Sequence, residues 1–418
     1  MSHVPTQKGG AWNELTVKKK HRIMEIGMEN GLPLISLVQS PQAGVFLPQQ
    51  FDVFHSIGKL FRDLSLRSYH NHPSCAVVFG SSTAGGAYHP ALSDYTIFVE
   101  NQAQVFLGGP PLVKMATGEE VDAETLGGAN LHGQKTGLAD CIAANEFEAI
   151  RRAREWIATL DAPSPLECLD RTPRPPRYPA EDLLAIVSPE IRGPVDMIAI
   201  IQRLVDDSEV KQFKPKYGPN LLTCWSSICG FEVGIIANQN PVLHADEASK
   251  GAQFIRLCNQ HNKPIIFLHN VTGFMVGSKA EHSGIIKRGA QMVSAVSCST
   301  VPHISIIIGA SYGAGNYAMC GRSFKPRFLF TWPSGRCGVM GAEQLAGVME
   351  IVSGKKVKDE GLKERIAKES ECYSTSAALI DDGIIDPRDT RDVLGMCLEV
   401  VYRKGFEGSV AHRALARM

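Results

Sequence analysis

Ala76-Val-Val-Phe79, running straight into Gly80-Ser-Ser-Thr-Ala-Gly-Gly-Ala-Tyr88, decides the fold because the chain repeats it as Ile304-Ser-Ile-Ile-Ile308 followed by Gly309-Ala-Ser-Tyr-Gly-Ala-Gly-Asn-Tyr317. Working outward, each copy is preceded at similar spacing by another apolar run, Pro33-Leu-Ile-Ser-Leu-Val38 and Pro264-Ile-Ile-Phe-Leu268. Before each of these comes a segment with apolar residues at helical spacing, Val17 to Met28 in one half and His244 to Cys258 in the other. Two further landmarks keep the order: Gln104-Val-Phe-Leu-Gly-Gly-Pro110 answers Arg327-Phe-Leu-Phe-Thr-Trp-Pro333, and Gly137-Leu-Ala-Asp140 answers Gly383-Ile-Ile-Asp386. Self-similarity at long period fixes architecture before any motif is read. The expectation is an α/β protein of two tandem, similar domains, each built around one strand–glycine turn–helix unit.

The domain boundaries follow from composition. Residues 1–160 alternate helix and strand and close with an amphipathic helix from Glu146 to Leu160. A proline-rich run, 161–179, is incompatible with helix or central strand and reads as an extended surface tether. Residues 180–418 form the second domain. It opens with Leu221 to Ala237, two strands joined by a turn at Gly230, which the first half lacks. By the chain's own symmetry the first domain is short of an edge strand pair. Its bare sheet edge should be covered by the N-terminal segment or by a partner, since open edges invite aggregation.

Bulk properties exclude several classes. At 418 residues, each half is long enough to bury a core. Hydrophobic content of 44% and charged content of 21% are ordinary for a globular protein. The 43 basic and 43 acidic residues cancel, so neither nucleic acid nor an anionic membrane is the expected partner. Eleven cysteines are scattered without a CxxC pair or a zinc-ligand spacing, which reads as buried free thiols and no metal site. The N-terminus carries no signal core, no apolar run reaches membrane-spanning length, and the expected location is cytoplasmic.

The chemistry should then come from the turns. A strand that ends in a glycine turn and opens a helix presents backbone NH groups at the positive end of the helix dipole. Such a site holds an anion, or the oxygen that turns negative as a thioester carbonyl becomes an enolate. Ala84-Gly-Gly-Ala87 and Gly313-Ala-Gly315 are the two candidates, and a side chain added at Gly86 or Gly315 is expected to block the approach of substrate. Neither turn has the G-x-G-x-x-G spacing, and no Walker loop, G-x-S-x-G elbow or HExxH is present. His89, His132, His269 and His282 are isolated and read as structural or surface residues. Glu119-Glu120 and Asp381-Asp382 read as solvated loop carboxylates, and Lys18-Lys-Lys-His-Arg22 as a solvated helix face.

At this point Thr117-Gly-Glu-Glu120, Leu126-Gly-Gly-Ala-Asn-Leu-His132, Asn270-Val-Thr-Gly-Phe-Met-Val-Gly277, Ser311 to Arg322 and Asp381-Asp-Gly-Ile-Ile-Asp-Pro387 can be taken together. They resemble the carboxyltransferase (beta) subunits of biotin-dependent acyl-CoA carboxylases, most of all the methylcrotonyl-CoA and geranyl-CoA branch, from about residue 8 to Met418. The resemblance implies two crotonase-like domains and transfer of a carboxyl group from carboxybiotin to an acyl-CoA. It implies that Gly85 and Gly86 hold the enolate oxygen and that Ala314 and Gly315 hold the biotin ureido oxygen. Around them Ala84, Ala87, Tyr88, Gly108, Gly109, Pro110, Phe274, Met275, Val276, Gly277, Tyr312 and Asn316 are the candidate substrate-binding residues. Carboxybiotin would arrive on a partner biotin carboxylase/biotin-carrier chain, CoA would be part of the substrate, and the chain would form a homo-oligomer. The family's Asp-Ser-Gly-Gly-Ala is here Gln39-Ser-Pro-Gln-Ala-Gly44, and the chain starts later than the family's, so the acyl side diverges more than the biotin side. Two other readings stay open on sequence grounds. One is a biotin-independent decarboxylase or C–C or thioester hydrolase on this scaffold, and the other is a non-catalytic assembly partner.

Overall fold

The computed structural model describes residues 1–40, 50–160, 172–187, 195–353 and 360–408. It divides into two compact units, Met1–Pro163 and Ser164–Met418.

In the first unit, Asn13 and Thr16 cap each other's backbone amides and start helix α1, Glu14–Glu29. The helix stops at Asn30 and Gly31, whose φ of 65° only glycine adopts without cost. Strand β1, Leu34–Ser40, follows, then α2, Gln50–Tyr69, and β2, Ser74–Thr83. The short helix α3, Gly85–Ala91, leads to β3, Tyr95–Val99, β4, Gln104–Phe106, and β5, Cys141–Ala143. Helix α4, Glu146–Ala158, is capped by Asn145 and lays Trp156 flat on Tyr95 with ring centroids 5.6 Å apart. The sheet runs β1-β2-β3-β5 with β4 beside the far end of β2, all parallel. Near-continuous burial along β2 and β3 is what a parallel sheet covered on both faces requires.

The second unit repeats this order and extends it. Its strands are β6, Lys211–Gln212, β7, Leu221–Ile228, β8, Phe231–Asn238, β9, Val242–Leu243, and β10, Ile265–Val271. They continue with β11, Gly273–Phe274, β12, His303–Tyr312, β13, Phe328–Thr331, β14, Arg336–Gly338, and β15, Gly383–Ile384. Helices α5, Ala245–Gln260, α6, Ile285–Ser297, and α7, Gly313–Ala318, stand where α1, α2 and α3 stand in the first. The large sheet reads β15-β13-β12-β10-β8-β7-β6 with β14 beside β12, so β10-β12-β13-β15 matches β1-β2-β3-β5. The match extends to an irregularity. The β1–β2 register breaks between Val38 and Ser40, placing Ser40 opposite Ser82, and the β10–β12 register breaks between His269 and Val271, placing Val271 opposite Ser311.

Strand order corrects two of the landmark pairings. Gln104–Phe106 corresponds to Arg336–Gly338 and not to the Arg327–Pro333 stretch, because each lies beside the end of the glycine-turn strand. Asp140 corresponds to Asp382 and not to Asp386: the Asp140 carboxylate accepts from Thr96 N at 2.8 Å and that of Asp382 from Leu329 N at 2.9 Å, each just before the last strand. Asp381 is also buried rather than solvated, and Asp382 is half-buried and bridged to Arg322 at 2.8 Å.

The extra strands β7 and β8 form an antiparallel hairpin whose turn residues, Cys229 and Gly230, both have positive φ, the primed-turn geometry that suits right-handed strand twist. Where β8 flanks β10, the first unit has Met1–His3 along β1: Leu37 N donates to Met1 O at 2.7 Å and His3 N to Leu37 O at 3.2 Å. Residues 1–3 thus cover the sheet edge. Trp12 anchors this cover, donating to His3 Nε2 at 2.8 Å, while Lys20 Nζ lies 3.0 Å from the same nitrogen and 3.7 Å over the indole. The Lys18–Arg22 run is therefore not wholly solvated, since Lys20 and Arg22 turn inward. Nor is the run from Pro173 to Pro179 a free tether. Arg177 N donates to Ser208 Oγ at 2.9 Å, and Arg391 Nη2 to Arg174 O at 3.0 Å. Residues 161–171 of the same run lie outside the described residues.

Three histidines are buried uncharged. Burial holds His269 down to about 3, His303 down to about 4, and His89 well below its ordinary value. In each case the folded value is below the unfolded 6.5, so the unfolded chain binds more protons and stability present above pH 6.5 is lost as the pH falls. Each group should contribute a slope of roughly 1.4 kcal/mol per pH unit below 6.5. Denaturant midpoints at pH 7.5 and 5.5 check this: a marked drop at pH 5.5 is expected, and equal midpoints would contradict the burial of neutral imidazoles.

Candidate functional site: two equivalent glycine turns

At the end of β2, Ala84 takes φ 53°, ψ −120°, and its amide donates to Phe106 O at 3.1 Å. The chain then turns into α3, leaving Gly85 and Gly86 as first-turn amides with no intrahelical acceptor. Among the described residues no other acceptor takes them. At the end of β12, Gly313 takes φ 51°, and Ala314 and Gly315 are likewise first-turn amides without an acceptor. Counting from the serines in register, Ala84 matches Gly313, Gly85 matches Ala314, and Gly86 matches Gly315. The left-handed residue reverses the chain between strand and helix in both turns. Glycine adopts it freely in the second, whereas alanine bears it in the first as local strain of the kind that clusters at functional sites.

The glycines themselves serve packing more than access. A Cβ on Gly86 would lie 3.0 Å from Ser82 Oγ, and one on Gly315 would lie 2.6 Å from Val271 Cγ2 and 3.2 Å from Gly273 Cα. Both would strike the strand beneath, so valine at either position disrupts the helix–strand contact instead of simply blocking an approach. Gly85 is different, because its Cβ would meet only Phe61 Cζ at 3.9 Å.

The remaining candidates fall around the two turns. Ala87 is buried under α3, and the Tyr88 ring packs against Phe61 with centroids 5.6 Å apart. Gly108, Gly109 and Pro110 follow β4, whose Phe106 carbonyl holds Ala84, and Gly109 with Pro110 starts the next helix. In the second unit Gly273 lies against Gly315, and Phe274 packs over Gly289. Met275 N donates to Leu243 O at 2.8 Å, while the Met275 and Val276 side chains stay exposed. A cavity of about 570 Å³ is lined by His244, Asp246 and the Met275–Lys279 segment, including Gly277. Tyr312 is buried, and burial raises its phenol. Asn316 does not face this space, because its Nδ2 donates to Ser311 Oγ at 2.8 Å and its Oδ1 lies against Gly321.

Among the described residues no side-chain base competes with the amides. His132 is fixed by Val105 O and Thr136 Oγ1, each at 2.8 Å, and so holds β4 in place. His282 is exposed, and His89 is sealed in with neither ring nitrogen bonded. Glu119 and Glu120 are exposed, with Glu120 paired to Lys114. Among the described residues no cluster of potential metal ligands occurs, and no helix is long and apolar enough to cross a membrane. Sequence reasoning missed the side-chain network behind the second turn, His269–Ser311–Asn316. The only signal for it was the serine shared by the two turns.

Duplicated α/β units that each end a central strand in unpaired amides define the class, and comparison with known proteins supplies the family. The carboxyl transferase domain family matches residues 1–413, and the chain belongs to it. The chain is 47% identical over 423 residues to a probable biotin-dependent acyl-coenzyme A carboxylase beta2 subunit of Mycobacterium tuberculosis, covering 97% of this chain and 79% of that protein. It is 44% identical to the biotin-dependent 3-methylcrotonyl-coenzyme A carboxylase beta1 subunit of the same organism, covering 94% of this chain and 77% of that protein. The crystal structure of the beta subunit of geranyl-CoA carboxylase from P. aeruginosa superposes with a TM-score of 0.90 at 39% identity, covering 98% of this chain and 79% of that one. The chain is accordingly a carboxyltransferase.

Local strain and packing at the turns give two expected outcomes. Ala84→Gly should raise stability by about 1 kcal/mol by relieving the left-handed alanine, whereas Gly315→Ala should lower it by about 1–3 kcal/mol through overpacking. Thermal unfolding of the two variants checks both, and a destabilised Ala84→Gly would refute the strain at that residue.

Proposed function

We propose that this chain is the carboxyltransferase component of a biotin-dependent acyl-CoA carboxylase, built from two crotonase-like domains. The observation that carries the proposal is the pair of equivalent turns, each offering two amides that the fold itself leaves without acceptors. In this reading the Gly85 and Gly86 amides receive the thioester oxygen of the acyl-CoA, and the Ala314 and Gly315 amides receive the ureido oxygen of biotin.

The residues present fit such a group. A cyclic urea offers one strong acceptor oxygen on a flat, uncharged body, and the second turn offers two donors beside Gly273, in the segment that leads on to the apolar Met275 and Val276. When bound, carboxybiotin supplies the carboxyl group and, once that group has left, a base for the substrate proton. The chain's own contribution is electrostatic. Gly85 and Gly86 hold negative charge on the thioester oxygen as the carbon conjugated to the carbonyl loses its proton, and preorganised donors need no reorientation at that moment. Phe61 and Tyr88 stand beside this turn, as walls that exclude water from the acyl group. Among the described residues no side-chain base is poised near either turn, which agrees with a proton acceptor that arrives with the reactants. Carboxybiotin is carried by a partner biotin carboxylase/biotin-carrier chain, the carboxyltransferase assembles with copies of itself, and the complex works in the cytoplasm.

Incubating the purified protein with carboxylated acyl-CoAs of increasing size and free biotin tests this. Loss of the carboxyl group from the thioester is expected only when biotin is present. Turnover at the same rate without biotin would overturn the reading in favour of a biotin-independent decarboxylase or hydrolase.

A further inference from the structure

We propose that His269, Ser311 and Asn316 are positioning residues for the second turn, a buried hydrogen-bond chain that fixes where the Ala314 and Gly315 amides point. The assignment rests on the reading of that turn as the biotin-side site. Asn316 Nδ2 donates to Ser311 Oγ at 2.8 Å, and His269 Nδ1 lies within hydrogen-bond distance of the same oxygen at 2.9 Å. Ser311 and His269 are fully buried and Asn316 is 9% exposed, so water does not compete for these bonds. Burial also keeps His269 uncharged.

The three residues stand on three elements: the end of β10, the end of β12, and α7. They bridge the place where the β10–β12 register breaks, and Asn270 Oδ1 closes the same gap by accepting from Ala310 N at 3.3 Å. The far side of Asn316 is also fixed, since Gly321 N donates to Asn316 O at 2.9 Å and a Cβ on Gly321 would collide with Asn316 Oδ1. The chain of bonds therefore ties the first turn of α7 to both strands beneath it.

The first unit shows that the fold does not need this device. It has the same strand order, the same register break and the same serine, Ser82. There, Val38 stands for His269 and Ala87 for Asn316, and the Ser82 hydroxyl has no partner among the described residues. A network that one copy omits while keeping its turn is not required to form the turn. Its added effect is to narrow the orientation of the amides, which matters where donors must meet one oxygen within a few tenths of an ångström.

The test uses the full chain with Ser311→Ala, Asn316→Ala and, as a control, Ser82→Ala. Carboxyl transfer from malonyl-, methylmalonyl- or 3-methylglutaconyl-CoA to free biotin is measured with whichever donor the wild type accepts. Ser311→Ala and Asn316→Ala should each lower kcat about tenfold or more, with KM for the acyl-CoA within about twofold, and Ser82→Ala should stay within about twofold of wild type. Hydrogen exchange over residues 312–321 should quicken about tenfold in the first two variants. Unchanged kcat in a folded Ser311→Ala or Asn316→Ala, or an equal loss in Ser82→Ala, overturns the assignment. Should the wild type transfer nothing to biotin, the functional reading fails, and the exchange measurement alone decides: unchanged exchange at 312–321 overturns the positioning role.

Discussion

Everything in this protein depends on how a buried parallel strand passes into a helix. The strand must satisfy its last amide, reverse direction, and enter a helix whose first amides have no partner of their own. Here one residue at φ near +50° performs the reversal, Ala84 in one unit and Gly313 in the other. The flanking short strand closes the remaining bond, as Phe106 O does for Ala84 N. What is left over is a pair of first-turn amides that no acceptor takes among the described residues. The catalytic capacity proposed for this chain is thus a by-product of ordinary backbone accounting, made specific by which residues surround each turn.

The two turns share a backbone and differ in what lies behind it. The second is stiffened by side chains, with Ser311 between His269 and Asn316 and Val271 packed under Gly315. The first has a strained alanine, an unpartnered Ser82, and an aromatic pair, Phe61 and Tyr88, beside it. That division suits a site taking one unvarying group and another whose partner differs from enzyme to enzyme. The sheet edges differ too: β10 is flanked by a hairpin, and β1 by Met1–His3.

The glycine turns, the strands leading into them and the order of the repeat were legible in the sequence, because buried parallel strands write themselves as continuous apolar runs and the turns demand small residues. The landmark pairings after the turns were not. The true counterpart of Gln104–Phe106 does not show in the sequence because three residues carry no periodicity, and Pro110 and Pro333 align more readily than sheet order does. Asp140 was matched to Asp386 on the strength of a glycine, whereas the bond to a strand amide selects Asp382. Lys20, Arg22, Asp381 and Asp382 read as solvated because charge runs usually are, and the burial of the first three and the half-burial of Asp382 depend on tertiary neighbours such as Trp12 and Arg322. The relay at Ser311 was out of reach for a related reason: its members are 42 and 5 residues apart and meet only because two strands end at one level.

The central claim is that backbone amides, not side chains, hold the developing charge. Proline at a first-turn helical position removes an N–H while keeping a helical φ. Ala314→Pro therefore deletes one donor of the second turn without adding bulk at the strand, and its rate of carboxyl transfer to biotin is the most direct measurement. The account predicts a loss of about a hundredfold or more in a folded protein that still binds its acyl-CoA. A folded Ala314→Pro that transfers carboxyl groups at the wild-type rate would contradict it.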